Sequence, residues 1–145
     1  MIRVLCLGKI KEEYLKSALD DYQKRMGKYH KLEIVELKDD ENILKEEEQL
    51  LKYIDNKNYN ILLDIEGKKI SSPQLAELID QTFNNYGNIT FIIGGSNGVT
   101  PKIKNLVNER ISFGAITMPH GLFRVVLLEQ IYRAFKINNN ERYHK

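Results

Sequence analysis

The sequence predicts an α/β fold, a mostly parallel sheet with helices on both faces. Three observations carry this reading. Short apolar runs at residues 2–7, 32–37, 59–64 and 88–93 have the length of strands, and each is followed by a segment with apolar residues at helical spacing. Turn chemistry punctuates the boundaries, at Gly8, at Asp39-Asp40, at Glu66-Gly67-Lys68 and at Gly94-Gly95-Ser96-Asn97-Gly98. Strands that alternate with helices pair in parallel, because a helical crossover returns the chain to the same edge.

Residues 2–7 form an apolar run broken by Gly8, a buried strand. Over residues 12–28, Tyr14, Leu15, Ala18, Leu19, Tyr22 and Met26 recur as the apolar face of a helix. Residues 32–37 alternate apolar and charged side chains, the pattern of a strand nearer an edge. Asp39 or Asp40 can cap the next helix, marked by Ile43, Leu44, Leu50, Leu51 and Ile54, with Glu46-Glu47-Glu48 as a solvated face. A third strand over 59–64 ends at Leu62-Leu63-Asp64, before a turn at Glu66-Gly67-Lys68. Ser72-Pro73 reads as a cap with proline at the first helical position, and Leu75, Ala76, Leu78, Ile79 and Phe83 carry that helix. Residues 88–93 are almost wholly apolar and are expected at the centre of the sheet. Thr100-Pro101 starts a fourth helix through about residue 108.

The last third, residues 111–145, differs in kind. On a helical wheel over 122–136, Glu129, Arg133 and Lys136 share a narrow face, while Arg124, Leu127, Leu128, Ile131 and Phe135 fall opposite. The apolar arc spans roughly 200°, wider than the roughly 100° stripe of a surface helix. Such a helix is either packed into one crowded core or buried against its own domain on one side and a second subunit on the other. Pro119 and Gly121 constrain the turn before it. Asn138-Asn139-Asn140 ends it, and the chain closes on Glu141-Arg142-Tyr143-His144-Lys145.

Composition narrows the function classes. At 145 residues with 42% hydrophobic content, the chain suits one domain spanning residues 1–145. A net charge of +2 gives no global field toward nucleic acid or membrane, so any polyanion contact must be local. The single cysteine, Cys6, has no disulfide partner and reads as a small buried hydrophobe. With no membrane-length apolar segment and no leader-like start, a cytoplasmic protein with no membrane partner is expected. The glycine loop at 94–98 lets backbone approach a ligand, but its spacing fits neither the dinucleotide fingerprint nor a nucleoside-triphosphate loop.

Leu63-Asp64-Ile65-Glu66-Gly67-Lys68, Ile93 with the glycine loop, Thr117-Met118-Pro119-His120, residues 124–134 and the terminal Tyr143-His144-Lys145 together resemble the ribosomal RNA large subunit methyltransferase H family, within the SPOUT methyltransferases. The resemblance spans the whole chain. It implies S-adenosylmethionine-dependent methylation at N3 of a pseudouridine in 23S rRNA, with the assembled ribosome the favoured substrate and free rRNA left open. It also implies a homodimer and a C-terminal trefoil knot. Carried over by position, the cofactor would be held by Leu63, by Gly94, and by Phe113, Gly114, Ala115, Ile116, Thr117 and Met118. No metal is needed, because a sulfonium methyl is already electrophilic.

The tail supplies the candidate catalytic segment Arg142, Tyr143 and His144. His144 is the first candidate for general base, with His120 second, since an unperturbed imidazole titrates near pH 6.5. Tyr143 can stack on an exposed base, and Arg142 and Lys145 can contact phosphate. Arg124 and Arg133 are further candidates for RNA contact, although Arg133 can instead pair with Glu129 one turn away. Two rival readings are a non-catalytic RNA-binding or ribosome-assembly module of the same fold and a small enzyme using another adenosyl ligand.

Overall fold

A computed structural model of the chain describes residues 1–143. Ten elements follow in order: β1 (Ile2–Leu7), α1 (Glu13–Met26), β2 (Leu32–Leu37), α2 (Ile43–Tyr53), β3 (Tyr59–Lys69), α3 (Ser72–Thr82), β4 (Ile89–Ile93), α4 (Pro101–Leu106), β5 (Glu109–Ser112) and α5 (His120–Asn138). The five strands form one sheet in the order β2-β1-β4-β3-β5, with every named pairing parallel. The expected α/β architecture is therefore present, and so are the two strand placements. β4 occupies the middle with all five residues buried, and β2 lies at an edge.

Alternation along β1 divides the core into two layers. Ile2, Val4 and Cys6 face α1, α3 and α5 through Leu15, Leu19, Leu75, Ile79, Leu127 and Ile131. Leu5 and Leu7 face the opposite side, where Leu50 of α2 and Ile103 of α4 close a smaller cluster. The Cys6 thiol, fully buried, has its pKa raised to about 11, chiefly by loss of hydration.

Four local expectations are corrected. The third strand does not stop at Asp64; β3 continues to Lys69 by pairing with β5, with a register shift between Leu63 and Lys68. Gly67 makes this possible, because a Cβ there would lie 2.7 Å from the Arg110 carbonyl carbon. The stretch after α4 is a fifth strand, and α4 ends at Leu106 rather than near residue 108. Asn42, not Asp39 or Asp40, caps α2 by accepting the Leu44 N–H at 2.9 Å, while Asp40 accepts the Asn42 N–H at 2.8 Å. Ser71 rather than Ser72 caps α3, in a capping box with Gln74.

Behind α5, His30 stacks on Phe83 with ring centroids 4.4 Å apart and planes 12° from parallel. Burial lowers its pKa from 6.5, with the amino-terminal charge adding to the effect. A folded-state pKa below the unfolded one means that protonation opposes folding. The stability contribution is fully present above pH 6.5 and is lost as pH falls below it. Urea midpoints between pH 7.5 and 5.5 should therefore decline more steeply for the wild type than for His30→Phe.

Candidate functional site

The C-terminal ends of β3, β4 and β5 open onto one cavity of about 310 Å³. In parallel sheets this edge is where ligands sit, because the loops diverge there and helix N-termini point inward. The β3 bulge lifts Asp64 and Ile65 over one side of the cavity, the glycine loop forms a second side, and residues 112–118 form the third. α5 contributes His120 and Phe123 at the rim.

Each wall has a local cause. In the glycine loop, the Gly98 N–H donates to the Gly95 carbonyl at 3.0 Å, and Gly98 takes a left-handed φ of 73°. A Cβ at Gly94 would lie 2.9 Å from Val99 Cγ1 and 3.2 Å from the Gly98 carbonyl oxygen, so a larger residue there must shift the loop. In the third wall, Ser112 Oγ accepts the Gly114 N–H at 3.1 Å, and Gly114 sits at φ 121°, a turn open to glycine. Ile116 is 81% exposed at the lip. Asp64 is held between Arg110 at 3.3 Å and Lys104 at 3.7 Å.

Of the residues expected at the cofactor, Leu63, Gly94, Phe113, Gly114, Ile116, Thr117 and Met118 line this cavity. Ala115 is exposed and does not. Ile93, quoted with the glycine loop but not as a cofactor residue, also lines it, as do Val99, Lys104 and Ile111. For Ile93 the end of the predicted fourth strand was the available signal; Ile111 had none, because β5 was not predicted. Among the described residues, no group of three His, Cys, Asp or Glu side chains is placed to hold a metal ion.

The second group of expected residues lies elsewhere. Arg124 is 3% exposed, not at the surface as an RNA contact requires. Its guanidinium donates to the carbonyls of Leu7 at 2.7 Å and Gly8 at 2.9 Å and to Glu36 at 3.0 Å, closing the C-terminal end of β1. Arg133 pairs with Glu129, whose other oxygen accepts from Gln130 at 2.9 Å. The Arg133 guanidinium also lies 4.8 Å from the centre of the Tyr143 ring, which meets Tyr132 edge-on at 5.2 Å. Arg142 is exposed. His144 and Lys145 lie outside the described residues.

Among the described residues, the tail up to Tyr143 does not line the pocket of its own chain. Phe123 is at the pocket rim and Tyr143 packs beside Tyr132, nine residues further along α5. At 1.5 Å per residue that separation is about 14 Å.

A five-stranded parallel sheet with a cavity at its strand ends and a long C-terminal helix leading from that cavity defines an α/β domain with a candidate ligand site. The family model described as "Predicted SPOUT methyltransferase" matches residues 1–144, and the chain belongs to this family. It is 47% identical to the ribosomal RNA large subunit methyltransferase H of Oenococcus oeni, covering 99% of this chain and 98% of that protein. The protein of the same name from Clostridium novyi is 47% identical, with 99% of each chain covered. That from Caldicellulosiruptor saccharolyticus is 44% identical, with 100% of each covered. A solved methylase-family structure from Haemophilus influenzae has the same fold, with a TM-score of 0.59 at 15% identity over 99% of this chain and 70% of that one.

Proposed function

We propose that this chain is a single-domain, S-adenosylmethionine-dependent methyltransferase of large-subunit ribosomal RNA, acting at N3 of a pseudouridine on the assembled ribosome in the cytoplasm. The observation that carries it is the strand-end cavity, whose three walls include seven of the eight residues that the family resemblance assigns to the cofactor. Near full-length identity to relatives named for this activity supports the substrate class. No helix among the described residues is long and apolar enough to cross a membrane.

The residues fit an adenosyl cofactor. Leu63, Ile93, Ile111 and Phe113 give apolar surfaces for a purine, while the glycine loop and residues 112–118 present main-chain groups at its edges. When bound, S-adenosylmethionine supplies an electrophilic methyl group. The chain's task is then to hold the acceptor nitrogen in line and to remove its imide proton. Positioning contributes several kcal/mol, and a general base adds roughly 10²- to 10⁴-fold. In this reading His144 accepts the proton, Tyr143 stacks on a base, and Arg142 and Lys145 meet phosphate.

Because Tyr143 packs beside Tyr132, about 14 Å along α5 from the pocket rim of its own chain, the proposed site is composite, with each pocket receiving the tail of a second subunit. Leu122, 43% exposed, and the half-buried Val126 leave an apolar stripe on the outer side of α5 that a twofold-related copy can cover. The threading of the C-terminal segment into a trefoil knot belongs to the same proposal.

Gly94→Val tests the pocket. The added side chain must displace Val99 and the Gly98 carbonyl, so calorimetric titration with S-adenosylmethionine should show affinity reduced by about tenfold or more. Unchanged affinity in a folded variant would place the cofactor elsewhere.

A further inference from the structure

Where α5 ends, the chain direction is fixed twice. The first device is in the backbone. Asn140 adopts a left-handed φ of 56°, its N–H donates to the Ile137 carbonyl at 3.1 Å, and the Glu141 N–H donates to the Lys136 carbonyl at 2.9 Å. This is the Schellman arrangement, which turns the chain sharply off the helix axis. The second device is a side chain. One Glu141 oxygen accepts the Tyr29 hydroxyl at 2.8 Å; the other accepts the Lys136 ammonium at 2.8 Å and lies 3.6 Å from that of Lys28.

The partners of that carboxylate are themselves held. The Tyr29 ring stacks on Phe135 at 5.8 Å and meets Tyr132 edge-on at 6.2 Å. The Lys136 ammonium lies 5.4 Å from the Tyr132 ring centre and 5.7 Å from that of Tyr29. Tyr132 in turn bears the edge contact to Tyr143. Glu141 thus ties the first residue beyond the helix turn to the turn after α1 and to α5 at once. Its carboxyl is held below the usual carboxylate range, first by the Lys136 hydrogen bond and then by that of Tyr29.

A surface carboxylate with both oxygens engaged, by an aromatic hydroxyl in the turn after α1 and by an ammonium on α5, is more than a helix end requires, because the Schellman bonds already satisfy the last carbonyls. We infer that Glu141 is a positioning residue for methyl transfer: clasped by Tyr29 of the turn after α1 and by Lys136 of α5, it sets the direction in which Arg142 and Tyr143 leave the helix and so aims the tail at the second subunit's pocket. This inference rests on the composite site proposed above.

The test uses the full-length dimer and assembled ribosomes lacking the modification. Glu141→Ala should lower kcat about tenfold or more, with S-adenosylmethionine affinity and dimer mass unchanged. Glu141→Gln keeps one oxygen to accept from Tyr29 or Lys136 and should restore part of the loss. Tyr29→Phe combined with Glu141→Ala should be no worse than Glu141→Ala alone, because both act through one contact. Wild-type kcat in Glu141→Ala would overturn the inference, and so would a loss matched by equal loss of cofactor affinity or of the dimer. A chain ending at Glu141 separates the two layers. If it is inactive while Glu141→Ala is fully active, only the positioning role fails. If it is fully active, the tail has no part in the reaction and both readings fall.

Discussion

Replacing Arg124 by alanine should destabilise the protein by about 3–5 kcal/mol, the cost of leaving a buried ionic network without one partner. The guanidinium meets two main-chain carbonyls at the end of β1 and the Glu36 carboxylate, and Glu36 also accepts the Ile10 N–H at 2.9 Å. Alanine leaves the Leu7 and Gly8 carbonyls without these donors and takes away the only ion-pair partner Glu36 has among the described residues. Domains of this size are stable by about 5–15 kcal/mol, so much of the total margin is at stake. Arg124→Lys keeps the charge but not the fork, and should recover only part. Urea unfolding followed by circular dichroism measures both. An RNA-contact role makes the opposite prediction: full stability, with KM for ribosomes raised.

Ending the chain at Glu141 should lower kcat by about 10²- to 10⁴-fold, the range for loss of a general base, with S-adenosylmethionine affinity unchanged. The composite site adds a sharper expectation. A Gly94→Val subunit has an intact tail and a damaged pocket, while the truncated subunit has the reverse. When the two are co-expressed, half of the dimers are mixed and each mixed dimer carries one working site. Activity should therefore return to about a quarter of the wild-type value under random pairing. A site formed within one chain predicts no recovery. Labelled-methyl incorporation into ribosomes at equal total protein distinguishes the two.

Much of the sheet was legible because its strands are buried on both faces and read as unbroken apolar runs. Thr90-Phe91-Ile92-Ile93 identified the central strand for that reason. β5 was not legible: Glu109-Arg110-Ile111-Ser112 is short and half charged, and only its pairing with the bulged end of β3 makes it a strand. The same pairing hid the extension of β3, because Glu66-Gly67-Lys68 has the composition of a turn and the need for glycine arises from a backbone brought close by tertiary structure.

Acidic side chains were misread for a related reason. Glu46, placed on a solvated face by its neighbours, is 3% exposed and accepts the Asp40 N–H at 3.0 Å, while Glu47 accepts the Thr100 hydroxyl at 2.5 Å. Arg124 carried its own signal. The helical wheel set it among Leu127, Leu128 and Ile131, and a cation on an apolar face is buried with partners rather than offered to solvent. The cavity lining followed from family resemblance more than from periodicity, since main-chain loops leave little pattern in sequence. Its one departure, Ala115, is exposed and does not line the cavity that its neighbours line.

The most direct test of the account is transfer of labelled methyl from S-adenosylmethionine to assembled ribosomes lacking the modification. The account predicts label on a single pseudouridine of the large-subunit RNA, dependent on an intact pocket and an intact tail. Cofactor binding with no transfer to confirmed unmodified ribosomes would contradict it.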